Sequence, residues 1–153
     1  MQDDLVIRPI ALSDRAAWAP LWDGYNAFYG RSGETALPAA VTAVTWDRFF
    51  EPGEPVFALV AESGGELLGL AHYLFHRSTT RIERLCYLND LFTVPAARGR
   101  GVGRALILAV YDAARKAGST RVYWQTHTSN AAGRILYDKV AAHLGFIVYS
   151  HDG

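Results

Sequence analysis

Apolar and polar positions along the chain follow two periods, and the switches between them mark out a series of strands and helices. Residues 5–8 read as a short strand closed by Pro9. Ser13 and Asp14 then offer an N-cap for a helix over 15–29, whose Trp18, Trp22, Tyr25, Phe28 and Tyr29 recur at helical spacing and which Pro20 and Gly24 weaken. A polar, turn-rich stretch at 30–33 connects it to a second helix over 38–50, with Pro38 near its first turn. Two apolar runs, 56–61 and 67–75, flank Ser63-Gly64-Gly65-Glu66 as a hairpin would. A third run through Leu88, Leu91, Phe92 and Val94 is a strand stopped by Pro95, and a helix follows over 101–117, apolar on more than one face and ended by Gly118. A short strand at 121–125, a helix over 130–143 and a last strand at 145–149 complete the order. No repeat, linker or low-complexity segment interrupts it, so the pattern predicts one α/β domain over residues 1–153.

The passage from the third run into the helix, VPAARGRGVGR, has the layout of a phosphate site: strand, glycine-rich turn, helix. Gly99, Gly101 and Gly103 clear side chains from a place where a ligand approaches the main chain, and the free N–H groups of the helix's first turn point outward. The spacing separates three motifs. G-x-G-x-x-G fails, because the third position falls on Arg104 or Leu106, and G-x-x-x-x-G-K-[ST] occurs nowhere. R-x-x-G-x-G fits at Arg98, Gly101 and Gly103. A tight turn that uses glycine for geometry alone is the other reading.

Composition narrows the partners. At 153 residues and 50% hydrophobic, the chain suits one full core. Its 15 basic and 15 acidic residues cancel, leaving no global field for nucleic acid, so any preference for a charged substrate is local. No apolar run spans a membrane and no signal peptide opens the chain. The lone Cys86 cannot form an internal disulfide, and a reducing cytoplasm is the default expectation. His72 and His76 lie about 13 Å apart on a strand, too far to share a metal, and no metal site is expected.

A second informative stretch is NAAGRILY, from Asn130 to Tyr137. Seven residues of helix turn through about 700° and rise roughly 10.5 Å, so these two side chains share one face, with Gly133 near it. A slender ligand fits between an amide and a phenol there. The alternatives are an N-cap for Asn130 and a half-buried aromatic for Tyr137.

The glycine turn resembles the coenzyme A pyrophosphate signature of the GCN5-related N-acetyltransferase (GNAT) superfamily, and NAAGRILY is similar to that superfamily's N-x-x-A-x-x-[LF]-Y element. YLNDLF is similar to the L-E-D-L-F of the diamine acetyltransferases and the yeast-type histone, polyamine and D-amino-acid acetyltransferases, with Asn89 where their glutamate stands. The resemblance covers about residues 56–146. It implies the GNAT fold: a mixed, mostly antiparallel sheet of six or seven strands, splayed between strands 4 and 5, with helices on both faces. It implies acetyl-CoA as co-substrate, its diphosphate on the amides of Gly99, Arg100, Gly101, Val102, Gly103 and Arg104, with Arg98 also a cofactor-binding residue. The pantetheine arm would lie along the main chain of Leu91, Phe92 and Thr93, with Asn130 in contact. A primary amine of a small molecule or a lysine-like group would attack directly, a main-chain N–H would stabilise the oxyanion, and Tyr137 would protonate the thiolate.

An alkylamine is protonated at pH 7, and correcting this costs roughly 4 to 5 kcal/mol, so a base or water must take the proton. Asp90, Glu83 and His127 are the candidates, with alternation sending Asn89 and Asp90 to opposite faces. The aromatics of the first helix and Glu34 are candidates for selecting the amine. An idle acyl-CoA sensor is the alternative to an enzyme. With Tyr149 four residues from the end, a customary seventh strand has no room, and an open edge covered by a neighbour predicts a homodimer.

Overall fold

The computed structural model describes residues 4–153. In chain order the elements are β1 (Val6–Pro9), α1 (Arg15–Phe28), α2 (Ala39–Arg48), β2 (Val56–Ser63), β3 (Glu66–His76), β4 (Leu85–Thr93), α3 (Val102–Lys116), β5 (Val122–Tyr123) and α4 (Ala131–Val140). The strands form one mixed sheet in the order β1-β2-β3-β4-β5, antiparallel from β1 to β4 and parallel between β4 and β5. Gly64 and Gly65, both at positive φ, close the β2–β3 hairpin in two residues, a turn whose twist matches that of its strands.

Alternation along β3 divides the core. Leu70 and His72 face α1 and α2, against Trp18, Trp22, Trp46 and Phe92. Ala71, Tyr73 and Phe75 face the other way, against Leu106, Ile107 and Val110 of α3 and the inner side of α4. Glycines allow two close approaches. A Cβ on Gly24 would lie 2.7 Å from the Phe92 ring, and one on Gly69 would lie 2.8 Å from the Phe92 carbonyl oxygen. The residue that weakens α1 as a helix thus makes room for the sheet.

Two features of β4 shape everything near it. Among the described residues it pairs with β5 only at Cys86–Val122 and Tyr87–Tyr123, then runs on to Thr93 without a strand partner on that side. It also carries a bulge: His72 pairs with Asp90 and Tyr73 with Leu88, so Asn89 is an extra residue. The bulge overturns the expected divergence of Asn89 and Asp90. Their side chains converge, with Asn89 Nδ2 donating to Asp90 Oδ1 at 2.8 Å.

Among the described residues the sheet has five strands rather than six or seven. Residues 145–149 form no strand, and Leu144, Phe146, Ile147, Val148 and Tyr149 are 60–88% exposed. A strand needs a hydrogen-bonding neighbour as well as apolar side chains, and β5, two residues long where five were expected, supplies no ladder for it. Helix α4 likewise stops at Val140, three residues before the expected His143.

Candidate functional site

The glycine turn is built by geometry first. After a single 3-10 turn at Pro95–Ala97, Gly99 takes φ 77° and Gly101, the N-cap of α3, takes φ 80°. A Cβ at either would meet nothing within 4 Å, so glycine is required there by backbone angle, beside open space. Gly103 has a different reason: a Cβ there would lie 3.3 Å from Leu136 of α4. No side chain caps α3, and the amides of residues 99–104 donate to no protein group among the described residues. Six N–H groups without a protein acceptor among the described residues, at the positive end of a 15-residue helix, are an arrangement that favours an anion. Arg98, Arg100 and Arg104 are in no ion pair with the described residues, which leaves their charge to add to it. Val102 is buried and offers its amide alone.

Beside the cradle lies the unpaired edge of β4. Val94 N–H donates to the Leu68 carbonyl, so by alternation Phe92 also faces β3 while Leu91 and Thr93 turn their main-chain groups to the open side. Arg98 Nε donates to the Thr93 carbonyl at 3.3 Å, tying the turn to this edge. The cradle and the edge suit a diphosphate followed by an extended, amide-bearing arm.

Asn130 is the N-cap of α4: its Oδ1 accepts from Gly133 N at 3.2 Å and its Nδ2 donates to Thr126 Oγ1 at 2.9 Å. A Cβ on Gly133 would lie 2.4 Å from that same Asn130 side chain, so the space opposite Gly133 is taken by the cap. Tyr137 packs edge-on against Trp124, ring centroids 5.5 Å apart, and its hydroxyl bonds to no described residue. Burial, then the neighbouring Tyr29, pushes its phenol above the usual value, keeping it protonated.

On the α1 and α2 side, a cleft of about 400 Å³ is lined by Trp22, Arg31, Phe49, His72, Asn89 and Asp90, among others. At its floor runs a buried relay. Trp18 Nε1 donates to His72 Nε2 at 3.1 Å, which leaves the imidazole proton on Nδ1, 2.9 Å from Asp90 Oδ2. Burial by itself would raise the Asp90 pKa, but the hydrogen bond and proximity of His72, with help from Tyr25 and Asn89, hold it below the usual carboxylate value. Asp90 in turn raises the phenols of Tyr25 and Tyr29, after burial as the larger cause. Tyr29 is thus raised by Asp90 on one side and itself raises Tyr137 on the other.

The remaining candidates separate. His127 lines a second cleft with Tyr29 and Asn130, its ring 6.0 Å from that of Tyr29. Glu83 sits before β4, bonded to Thr120 and Arg81, and lines neither cleft. Of the helix-1 aromatics, Trp22 lines the first cleft and Phe28 and Tyr29 the second, whereas Trp18 is fully buried and Tyr25 nearly so. Glu34 is exposed and lines neither. Sequence reasoning missed the relay, considering His72 only as a metal ligand. The signal was a histidine inside an apolar hairpin strand, opposite an aspartate on the next strand.

Comparison with known proteins identifies the family. Residues 18–142 match the acetyltransferase (GNAT) family. The D-amino-acid N-acetyltransferase HPA3 of Saccharomyces cerevisiae is 35% identical over 155 residues, covering 100% of this chain and 94% of its own. The uncharacterised N-acetyltransferase YhfO of Bacillus subtilis is 35% identical over 133 residues, covering 87% of this chain and 86% of its own. Among solved structures, AAC(6')-Iy in complex with a bisubstrate analogue superposes with a TM-score of 0.82 over 98% of this chain and 99% of that one, at 15% identity, a likeness of fold. The chain belongs to the GNAT acetyltransferase family, as an N-acetyltransferase with acetyl-CoA for its co-substrate.

Proposed function

We propose that the enzyme acetylates the primary amine of a small molecule, held in the cleft between α1, α2 and the sheet, with Tyr137 as general acid. The observation that carries this reading is the run of six unspent amides at residues 99–104, continuous with the open edge of β4. That surface would hold the diphosphate and arm of acetyl-CoA, which supplies the acetyl thioester. The amine nitrogen attacks the acetyl carbonyl carbon, the carbon–sulfur bond breaks, and Tyr137 Oη gives its proton to the departing sulfur. The proton lost by the amine passes to water and restores the phenol. With a phenol near ~10 and a thiol near ~8.5 the donation is uphill, and burial of Tyr137 steepens it, so the contribution of Tyr137 is position rather than driving force.

The test is thiol release from acetyl-CoA in the presence of an amine panel. Tyr137→Phe is expected to lower kcat by about 10²–10⁴-fold with acetyl-CoA binding unchanged. An unaltered kcat would remove the general-acid role. The same reading makes the protein a homodimer, because the apolar, exposed residues between Leu144 and Tyr149 are suited to burial against a second copy.

A further inference from the structure

Along β4 the main chain changes sides. Cys86 N–H donates to the Arg121 carbonyl, so at the start of the strand the even-numbered residues turn their main-chain groups toward β5. Past Asn89 the parity is reversed. Val94 N–H donates to the Leu68 carbonyl, so there the even-numbered residues face β3, and Leu91 and Thr93 face the open side. The extra residue of the bulge is the cause. In a regular strand the Leu91 N–H would be committed to the β3 ladder; with the bulge it stands on the open edge. Thr93, whose carbonyl is bonded by Arg98, is the end of that edge nearest the glycine turn. An arm running from the turn along the edge therefore brings its far end, the thioester, to Leu91.

Both residues of the bulge are pinned from neighbouring elements. Tyr25 Oη of α1 donates to the main-chain carbonyl of Asn89, the extra residue itself, at 3.4 Å. Asp90, which precedes Leu91, is held through its side chain by His72 Nδ1 at 2.9 Å and by Asn89 Nδ2 at 2.8 Å. His72 has no freedom to pass on: Trp18 Nε1 donates to its other nitrogen, and its ring lies 5.1 Å from that of Trp22 and 4.7 Å from that of Phe49. A satisfied polar network so buried specifies one geometry. Tyr25 is 8% exposed and lines neither cleft, so its hydroxyl serves the bulge rather than an acceptor.

We infer that Tyr25 and the His72–Asp90 pair are positioning residues for acetyl transfer, fixing the Asn89 bulge so that the Leu91 N–H is aimed at the carbonyl oxygen of the acetyl thioester. This rests on the reading of the β4 edge as the seat of the acetyl-CoA arm. As the amine attacks, negative charge gathers on that oxygen, and a donor already in place stabilises it without reorganisation. A bulge free to relax would let the amide drift from the oxygen. Acetyl-CoA would still be held at the glycine turn, but its transfer would slow.

Tyr25→Phe is the cleanest probe, since it removes one hydroxyl and keeps the ring. The first readout needs no acceptor: the infrared stretch of carbonyl-labelled acetyl-CoA bound to the protein. A hydrogen bond weakens the C=O bond, so the bound band is expected below that of free acetyl-CoA in the wild type and closer to the free position in Tyr25→Phe. Thiol release with the amine panel should show kcat lowered at least ~10-fold, short of the ~10²–10³-fold for losing an oxyanion donor outright, with acetyl-CoA affinity unchanged by calorimetry. His72→Asn, whose amide can replace the Nδ1 donor, should keep the band and kcat nearer the wild type than His72→Leu does. A wild-type band at the free position, or variants whose kcat falls in step with Tm while the band stays put, overturns this inference and leaves the enzyme reading standing. A wild type that takes up no acetyl-CoA overturns the reading of the β4 edge as well.

Discussion

Replacing His72 by leucine isolates the interaction at the floor of the cleft beside α1 and α2. The substitution removes the Nδ1 donor to a carboxylate that is 9% exposed and orphans the Trp18 indole N–H, which is fully buried. The lost bond to a charged acceptor is worth about 1.5–3 kcal/mol and the unsatisfied donor about 1–3 kcal/mol, so a destabilisation of about 2.5–6 kcal/mol is expected. For a chain of this length that lowers Tm by roughly 5–24 °C. The pH dependence distinguishes this from loss of packing. In the wild type Asp90 is depressed, so its contribution is present above the unfolded value of about 3.9 and fades as pH falls through the folded value. In the variant, burial no longer opposed by His72 raises Asp90, and the cost of the buried charge vanishes once the carboxyl protonates. The gap in stability between the two proteins is therefore widest near neutrality and narrows as pH falls through and below the carboxylate range. Thermal and urea melts from pH 8 to pH 4 read this directly. The double variant with Asp90→Leu should be less destabilised than the sum of the singles, since both polar partners are gone. A gap that stays constant across that range, or fully additive singles, would refute the relay.

Other outcomes follow from other parts of the chain. Gly101→Val forces a β-branched residue to φ 80°, and is expected to cost about 1–2 kcal/mol of local backbone energy and to weaken acetyl-CoA binding by calorimetry about tenfold or more. Gly69→Ala sets a Cβ 2.8 Å from a backbone oxygen and 3.0 Å from Val102, and should lower stability by about 1–3 kcal/mol in a denaturant melt with the coenzyme site intact. Because Tyr137 is raised by burial and by Tyr29, kcat should hold to at least pH ~10 and fall beyond it, a limb absent from Tyr137→Phe. Phe146→Asp should shift the protein toward monomer in light scattering at micromolar concentration; a wild type that is monomeric there removes the dimer.

Local chemistry made much of the site readable. Gly99 and Gly101 adopt angles that few other residues tolerate, and Pro95 ends β4 because it cannot extend the ladder, so the strand, turn and helix order is written in residue types. Asn130 caps α4 as its side chain and its place ahead of Ala131 suggest. The bulge at Asn89 was hidden because alternation in β4 looks regular until β3 is laid beside it, and only then does one residue prove to be extra. The final apolar run misled for the matching reason: its side chains are those of a strand, and nothing in its own sequence reports whether a neighbour's backbone lies within reach.

By itself, then, the sequence determined what depends on a few consecutive residues: where backbone turns left-handed, where helices begin, and where a strand gives way past Pro95 to a glycine turn. Tertiary structure alone decided which distant groups meet, setting Trp18 on His72, His72 on Asp90 and Arg31 on Asn26, and so giving one cleft both signs of charge. The physical reason is range. Torsional preference and capping act within a turn or two of chain, whereas a buried ion needs partners from opposite ends of it, and those are chosen only when the sheet and helices pack.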